Sequence, residues 1–189
     1  MKKTLLLAGV ACALMTTQAQ AANWYNNMMH DTKIYVGADY AFDSVDFKGS
    51  LSEAKEDYNT GIFNIGARMK YSGVEFFGQW GAQNSKDTAA GKLKTNLNAY
   101  GMDMYGYLPL GCEGKYDLLG TIGVADYYYK GFLEEKNDTN NHIGWRVGGG
   151  AMYNYNEHIS ARVVGRYAYI GASDLNHVAE VTAGMRYNF

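Results

Sequence analysis

Three histidines, His142, His158 and His177, have side chains that could act as a catalytic base, and Ser173 and Asp174 lie close to His177 in the chain. Ser173, Asp174 and His177 together supply the residue types of a hydrolytic triad. A triad is normally assembled by the fold from distant chain positions, whereas these three residues share one short polar segment. We therefore interpret the segment as a solvated loop and predict no catalytic residue.

Metal and thiol chemistry have equally little support. The pairs His30-Asp31 and Glu157-His158 lack the paired spacing of a closed metal site. Cys112 lies in a turn-like Gly-Cys-Glu-Gly segment without a neighbouring histidine that would hold a thiolate. The sequence therefore predicts neither a metal nor a cofactor.

The charged side chains of the apolar segments show a clearer pattern, because they occupy alternate positions. This period of two is typical of β-strands with one polar and one apolar face. It predicts eight strands, at 33–43, 63–71, 74–83, 100–108, 116–130, 143–155, 160–169 and 179–189. In the fifth strand Asp126 falls on the apolar face, so either the membrane portion ends near Val124 or a bulge shifts the register.

The predicted connections alternate in length. Short turns lie at 72–73, 111–115 and 156–158, and longer polar loops lie at 44–59, 84–95, 131–142 and 172–177. An even number of strands with short turns at one end and long loops at the other is the pattern of an outer-membrane barrel. The sequence therefore predicts an all-β, eight-stranded antiparallel transmembrane β-barrel with meander topology.

Charge decides which face points outward. The polar face carries seven basic residues, two of which are Lys33 and Lys70, and six acidic residues, whereas the apolar face carries no Lys or Arg. A Lys or Arg at mid-depth in lipid costs about 2–4 kcal/mol, so we expect the polar face to line the lumen. The proposed lumen network consists of Arg68, Glu75, Asp103, Arg146, Arg162, Arg166, Glu180 and Arg186. The alternative is a soluble barrel with its apolar face inward, on which the same charges would be a solvated surface.

Small inward-facing residues are compatible with a pore, which is therefore an alternative function. Eight strands enclose a lumen just wide enough for side chains to fill it. Glycines at 37, 66, 148, 150 and 184 could leave water pockets, which would permit a low-conductance path.

The first 21 residues predict an export signal. Lys2 and Lys3 precede an apolar stretch from Leu5 to Met15, and Ala19-Gln20-Ala21 has the small residues of a cleavage site. Cleavage after Ala21 would leave a barrel domain of residues 22–189. The alternatives are a retained N-terminal anchor and a lipoprotein modified at Cys12. The whole chain has 17 basic and 19 acidic residues, a balance that argues against a nucleic-acid partner.

Three short motifs resemble OmpA-like and opacity-type eight-stranded outer-membrane barrels. They are the Phe-ended segment 185–189, the hairpin formed by 107–110 and 116–124, and the glycine-rich segment 148–153. The resemblance implies that Tyr187 and Phe189 belong to the signal that the barrel-assembly machinery recognises. Met152 departs from the family, which often has an acidic residue there, so a nearby arginine must find another partner.

Together these features predict an integral outer-membrane protein with both chain ends in the periplasm. We expect a monomer with a non-catalytic structural or surface-interaction role, whose partners are outer-membrane lipid, lipopolysaccharide and a host or cell-surface ligand at four extracellular loops. A low-conductance pore and an outer-membrane lipid-modifying enzyme are the alternative functions.

Overall fold

A computed structural model describes residues 32–47, 57–82, 84–88, 91–111, 114–133, 136–171 and 175–189. These residues form nine β-strands: β1 (Lys33–Phe47), β2 (Asp57–Arg68), β3 (Ser72–Gly81), β4 (Asn84–Thr88), β5 (Gly91–Leu110), β6 (Tyr116–Leu133), β7 (Lys136–Asn154), β8 (Ile159–Tyr169) and β9 (Leu175–Asn188). The described ranges contain no helix long and apolar enough to cross a membrane. The predicted signal segment lies outside the described residues.

Eight of the strands close into one antiparallel barrel. Each of them pairs with its neighbours in chain order, and β1 pairs with β9. The short strand β4 is not one of the eight: β3 pairs directly with β5, and β4 pairs with the first residues of β5. Following the paired residues once around the barrel leads from Asp46 of β1 back to Val36 of the same strand, a stagger of 10 residues. Such a stagger tilts the strands and lets the sheet close without a free edge. The predicted eight-stranded antiparallel barrel is confirmed.

The two faces of the barrel wall differ as the alternation predicted. Large apolar side chains point outward and stay exposed along every strand of the barrel, for example Ile122, Val147 and Val181. The buried inward face carries charged and polar side chains. This arrangement suits a wall that lies in hydrocarbon, and the soluble alternative required the opposite one.

The barrel has two unlike ends, which we call the turn end and the loop end. The turn end carries the connections after β2, β5 and β7, and both the start of β1 and Phe189 lie there. The turn after β2 is offset from its predicted place at 72–73, because Arg68 pairs with Gly73 and the Met69 amide donates to the Ser72 carbonyl at 2.8 Å.

At the loop end, the strands are longer than predicted. The predicted loop at 84–95 contains β4 and the start of β5, and the predicted loop at 131–142 contains the paired ends of β6 and β7. The polar sequence of these segments shows no period of two, although backbone pairing continues.

The register around Asp126 is unbroken, since it pairs with Tyr100 on β5 and with Ile143 on β7 without a shift. No bulge therefore turns Asp126 inward. Of the two explanations offered by the sequence, the end of the apolar band near Val124 is the one that fits.

Candidate functional site

The centre of the lumen is organised around the carboxylate of Glu75 on β3, which is 1% exposed. Arg162 of β8 donates to both of its oxygens, at 2.9 and 3.1 Å, and Arg186 of β9 donates at 2.7 Å. The hydroxyls of Tyr35 and Tyr105 donate to it at 3.0 and 3.1 Å. Glu75 thus joins four other strands across the lumen, and a buried carboxylate needs such donors to offset its desolvation.

Arg162 extends this cluster toward β1. Its Nε donates to Asp39 at 2.9 Å, and a second bond joins Nη2 to the same carboxylate. Asp39 also accepts a hydrogen bond of 2.6 Å from the amide of Asn64 on β2. The paired, planar donors of a guanidinium allow one arginine to bridge two carboxylates in this way.

A second ionic group lies closer to the loop end. Arg146 and Arg166 both contact Glu180, at 2.9 and 2.8 Å, and both lie 3.3 Å from Asp103. Arg166 also donates to the hydroxyl of Tyr105, which links this group to the Glu75 cluster. The guanidinium of Arg146 covers the ring of Phe77, a cation–π contact of 4.3 Å.

A third group closes the turn end. Arg68 donates to Asp117 at 2.8 Å and to Asn154 at 3.2 Å, and Asn154 donates to Asp117 at 2.8 Å. Met152 lies 3.8 Å from Arg68 through its sulfur. The presence of Met152 left the acidic partner of a nearby arginine undetermined, and Asp117 is the carboxylate that pairs with Arg68.

The structure brings all eight residues of the predicted lumen network into these three groups. Sequence reasoning missed the neutral partners: Tyr35, Asn64, Tyr105, Asn154, Thr60 and Gln79. Tyrosine and amide side chains on the polar face of a strand are the signal that could have indicated them, since a buried hydroxyl or amide requires a partner.

The predicted charge balance of the lumen was wrong in one respect. Lys33 and Lys70 are exposed at the turn end, because β1 begins at the first and the turn after β2 contains the second. Among the described residues, five arginines therefore face six carboxylates. Asp43 is the carboxylate without an arginine in this set, and it accepts from Thr60 at 2.7 Å and from Gln79 at 3.0 Å.

The inward glycines do not form the water pockets that the pore alternative required. A Cβ at Gly184 would meet Asp39, one at Gly37 would meet Asn64 and Arg186, and one at Gly148 would meet Arg166. At Gly66 the space holds the ring of Tyr35, and at Gly150 it holds the backbone of β8. The glycines admit the large side chains of the network, so the space is already filled.

Apolar side chains fill the lumen on both sides of the central charges. The cluster toward the loop end contains Ala41, Val45, Tyr58, Ile62, Phe77, Leu97, Ala99, Tyr127, Leu175 and Val178. The cluster toward the turn end contains Tyr105, Tyr107, Leu119, Met152 and Val164. Close packing of such side chains leaves little volume for water.

Beyond the loop end, part of the barrel wall continues as a sheet, which we call the wing. It consists of β4 with residues 91–97 of β5, 127–133 of β6 and 136–142 of β7. Pairing of β7 with β8 ends at Trp145 and Tyr169, whereas pairing of β7 with β6 continues to Lys136. β7 thus extends nine residues further, about 30 Å of strand.

The histidines of the catalytic alternative lie near strand ends. His177 is 3.2 Å from Asp46 and stacks on Tyr167 at 5.1 Å, while Ser173 and Asp174 lie outside the described residues, as does Cys112. His158 contacts the carbonyl of Asn188 at 3.0 Å. Within the described ranges, no group of three or more His, Cys, Asp and Glu side chains is placed to hold a metal ion.

The two residues of the predicted assembly signal are exposed at the turn end. The rings of Tyr187 and Phe189 meet edge to face at 5.2 Å, and His158 stacks on Tyr187 at 5.7 Å. Their role in assembly stays a prediction.

Comparisons with known proteins agree with this architecture. Residues 5–189 match the model of the outer membrane protein beta-barrel domain. No curated protein matches the sequence. Among solved structures, Neisserial surface protein A (NspA) has a TM-score of 0.60 at 16% identity, covering 84% of this chain and 97% of that chain.

Two further structures share the fold at low identity. The N-terminal β-barrel domain of Pseudomonas aeruginosa OprF has a TM-score of 0.58 at 11% identity, with 82% and 97% coverage of this chain and that chain. Ail, the attachment invasion locus protein of Yersinia pestis, has a TM-score of 0.56 at 12% identity, with 84% and 97% coverage. The family match extends over nearly the whole sequence, and the chain belongs to the outer-membrane β-barrel protein family as an integral protein of the bacterial outer membrane.

Proposed function

We propose that this protein is a non-catalytic surface-interaction barrel, in which a rigid, filled frame presents its loop end outside the cell. Both described chain ends lie at the turn end. In outer-membrane barrels the short turns face the periplasm and the long loops face outward, which supports periplasmic ends here.

The observation that carries this proposal is the wing. A strand that stayed within the membrane would need only about 9–11 residues, whereas β5, β6 and β7 have 20, 18 and 19. The surplus residues of these strands pair with one another beyond the end of β8 and so form an ordered platform on one side of the barrel. Binding residues commonly lie on such protruding segments above a stable scaffold.

The packed lumen supports a structural frame and argues against a pore. The side chains of Glu75, Asp103, Arg146 and Arg162 are almost fully buried, and apolar clusters lie on both sides of them. An ion would have to separate paired charges and then cross an apolar layer. It would lose its hydration shell there, at a large cost in free energy.

The descriptions of two structural neighbours support an interaction role for this chain. NspA is described as a surface protein, and Ail as an attachment invasion locus protein crystallised with a heparin analogue, sucrose octasulfate. For this chain we propose a host or cell-surface ligand at the wing, lipopolysaccharide around the barrel, and the assembly machinery at Tyr187 and Phe189. The protein would act as a monomer.

Shortening the wing tests the proposal. Lys130 pairs with Thr139, so replacing residues 131–138 with Asn-Gly closes the hairpin by a two-residue turn and keeps the pairing below it. Bacteria displaying the full chain should bind cultured epithelial cells or immobilised heparin, and the shortened variant should lose most of that binding. Glu157→Gln at the turn end is the control. Equal binding by the shortened variant, with the barrel folded, would contradict the proposal.

A further inference from the structure

Asp126 is a carboxylate on the outer wall of the barrel. Its neighbours in β6, Ala125 and Tyr127, point inward and are buried, so alternation directs Asp126 toward the surroundings. The next outward residues toward the turn end are Val124 and Ile122, which belong to the apolar band. Asp126 therefore lies where this band ends at the loop end, and the cost of an acidic side chain is small at such a boundary.

Among the side chains that the structure describes, only neutral groups contact this carboxylate. Tyr100 donates its hydroxyl to Oδ2 at 3.1 Å, and Asn141 donates its amide to the same oxygen at 3.3 Å. The other oxygen, Oδ1, is enclosed without a hydrogen-bond partner among the described side chains. No Lys or Arg whose side chain is described forms an ion pair with Asp126, whereas most carboxylates of the lumen have such a partner. The site thus presents a carboxylate that no described cationic side chain neutralises.

Aromatic rings flank the same position. Tyr100 is directly opposite Asp126 on β5 and is 53% exposed. Trp145 of β7 pairs with Val124 and therefore lies diagonally across from Asp126. Its side chain is 66% exposed. A diagonal pair on one face of a sheet is within reach of a large aromatic side chain.

We propose that Asp126, Tyr100 and Trp145 bind the ammonium group of a lipid head group. A carboxylate attracts an ammonium group through its charge and pairs with it through charge-assisted hydrogen bonds. Exposed tyrosine and tryptophan rings attract the same cation through their faces. The head group is that of an ethanolamine phospholipid or of a glycolipid whose amino sugar is not acylated, since both present a primary ammonium. The site goes beyond the surface-interaction role, because it needs the membrane and not the wing.

Quenching of Trp145 fluorescence measures occupancy of this site. Trp24→Phe and Trp80→Phe leave Trp145 as the sole tryptophan of the chain. In phosphatidylcholine vesicles with a small fraction of brominated lipid, brominated phosphatidylethanolamine should be about two- to fivefold enriched at Trp145 over brominated phosphatidylcholine. Competition with unbrominated phosphatidylethanolamine or with an amino-sugar glycolipid identifies the preferred source.

Asp126→Asn should abolish the enrichment, whereas Glu157→Gln, which removes an exposed acid at the turn end, should retain it. Tyr100→Phe keeps the carboxylate and should retain part of the enrichment. Heat-dependent gel mobility verifies that each variant is folded. Equal quenching by the two brominated lipids, unchanged enrichment in Asp126→Asn, or enrichment of an anionic lipid would overturn the proposal. None of these outcomes depends on binding at the wing.

Discussion

Glu75 and Arg162 meet in the middle of the lumen, where two hydrogen bonds of 2.9 and 3.1 Å join the carboxylate to the guanidinium. The residues are 87 positions apart in the chain and come from β3 and β8. Because β3 and β8 are not neighbours in the sheet, this pair ties opposite parts of the wall together. The lumen is therefore a cross-linked core.

Glu75→Gln should lower the free energy of unfolding by about 3–5 kcal/mol. The substitution keeps the size of the side chain but leaves the buried guanidinium groups of Arg162 and Arg186 with fewer carboxylate partners. Urea unfolding in phosphatidylcholine vesicles, followed by tryptophan fluorescence, measures the change. Glu157→Gln, an exposed charge removal, should change stability by less than about 0.5 kcal/mol. Equal stability of the two variants would show that the Glu75 cluster does not stabilise the barrel.

Gly184→Ala should destabilise the barrel by about 1–3 kcal/mol. The added methyl group would meet the carboxylate of Asp39 and the carbonyl of Ala38, and Asp39 cannot move freely because Arg162 and Asn64 hold it. Gly120→Ala on the outer wall is the matched control, since its methyl group would meet nothing within 4 Å. That variant should be neutral or up to about 1 kcal/mol more stable. The same unfolding assay separates the two, and similar losses would contradict a filled lumen.

The alternation in sequence was sufficient to predict the barrel and the faces of its strands. Ile122, Val147 and Val181 are outward and Arg162 and Glu180 are inward, as a period of two requires when one side is lipid. The pairing inside the lumen could not be predicted in the same way. Arg162 and Asp39 are 123 positions apart, and they meet only because the stagger of the closed barrel brings them to the same height.

The wing and the loop-end apolar cluster were missed for another reason. Tyr58, Leu97, Leu175 and Val178 lie in or next to segments that polar composition assigned to loops, yet their side chains are buried in the lumen. Above the membrane, water surrounds the outer face, so outward positions need not be apolar and the period of two disappears from the sequence. Backbone pairing with a long neighbouring strand then sets the structure, and a single sequence carries little trace of it.

Asp117→Asn should cost about 1–2 kcal/mol, less than Glu75→Gln. The amide still accepts a hydrogen bond from Arg68, whose side chain is 18% exposed at the turn end and can reach water. Arg162 and Arg186, by contrast, are only 1% exposed. Urea unfolding of the two variants under identical conditions tests the ranking. A larger loss for Asp117→Asn would place the main electrostatic contribution at the turn end.

The folded protein should produce no stepwise current in planar bilayers. A permeating ion would have to separate Arg146 from Glu180 and Arg162 from Glu75, and would then meet the apolar cluster around Leu97 and Val178. Breaking one buried ion pair costs several kcal/mol, and the apolar layer offers an ion no compensating ligands. Recordings with a porin inserted under the same conditions confirm that the bilayers report conductance. Current steps that scale with the amount of folded protein, as measured by heat-dependent gel mobility, would show that the lumen opens and would restore the pore as a function.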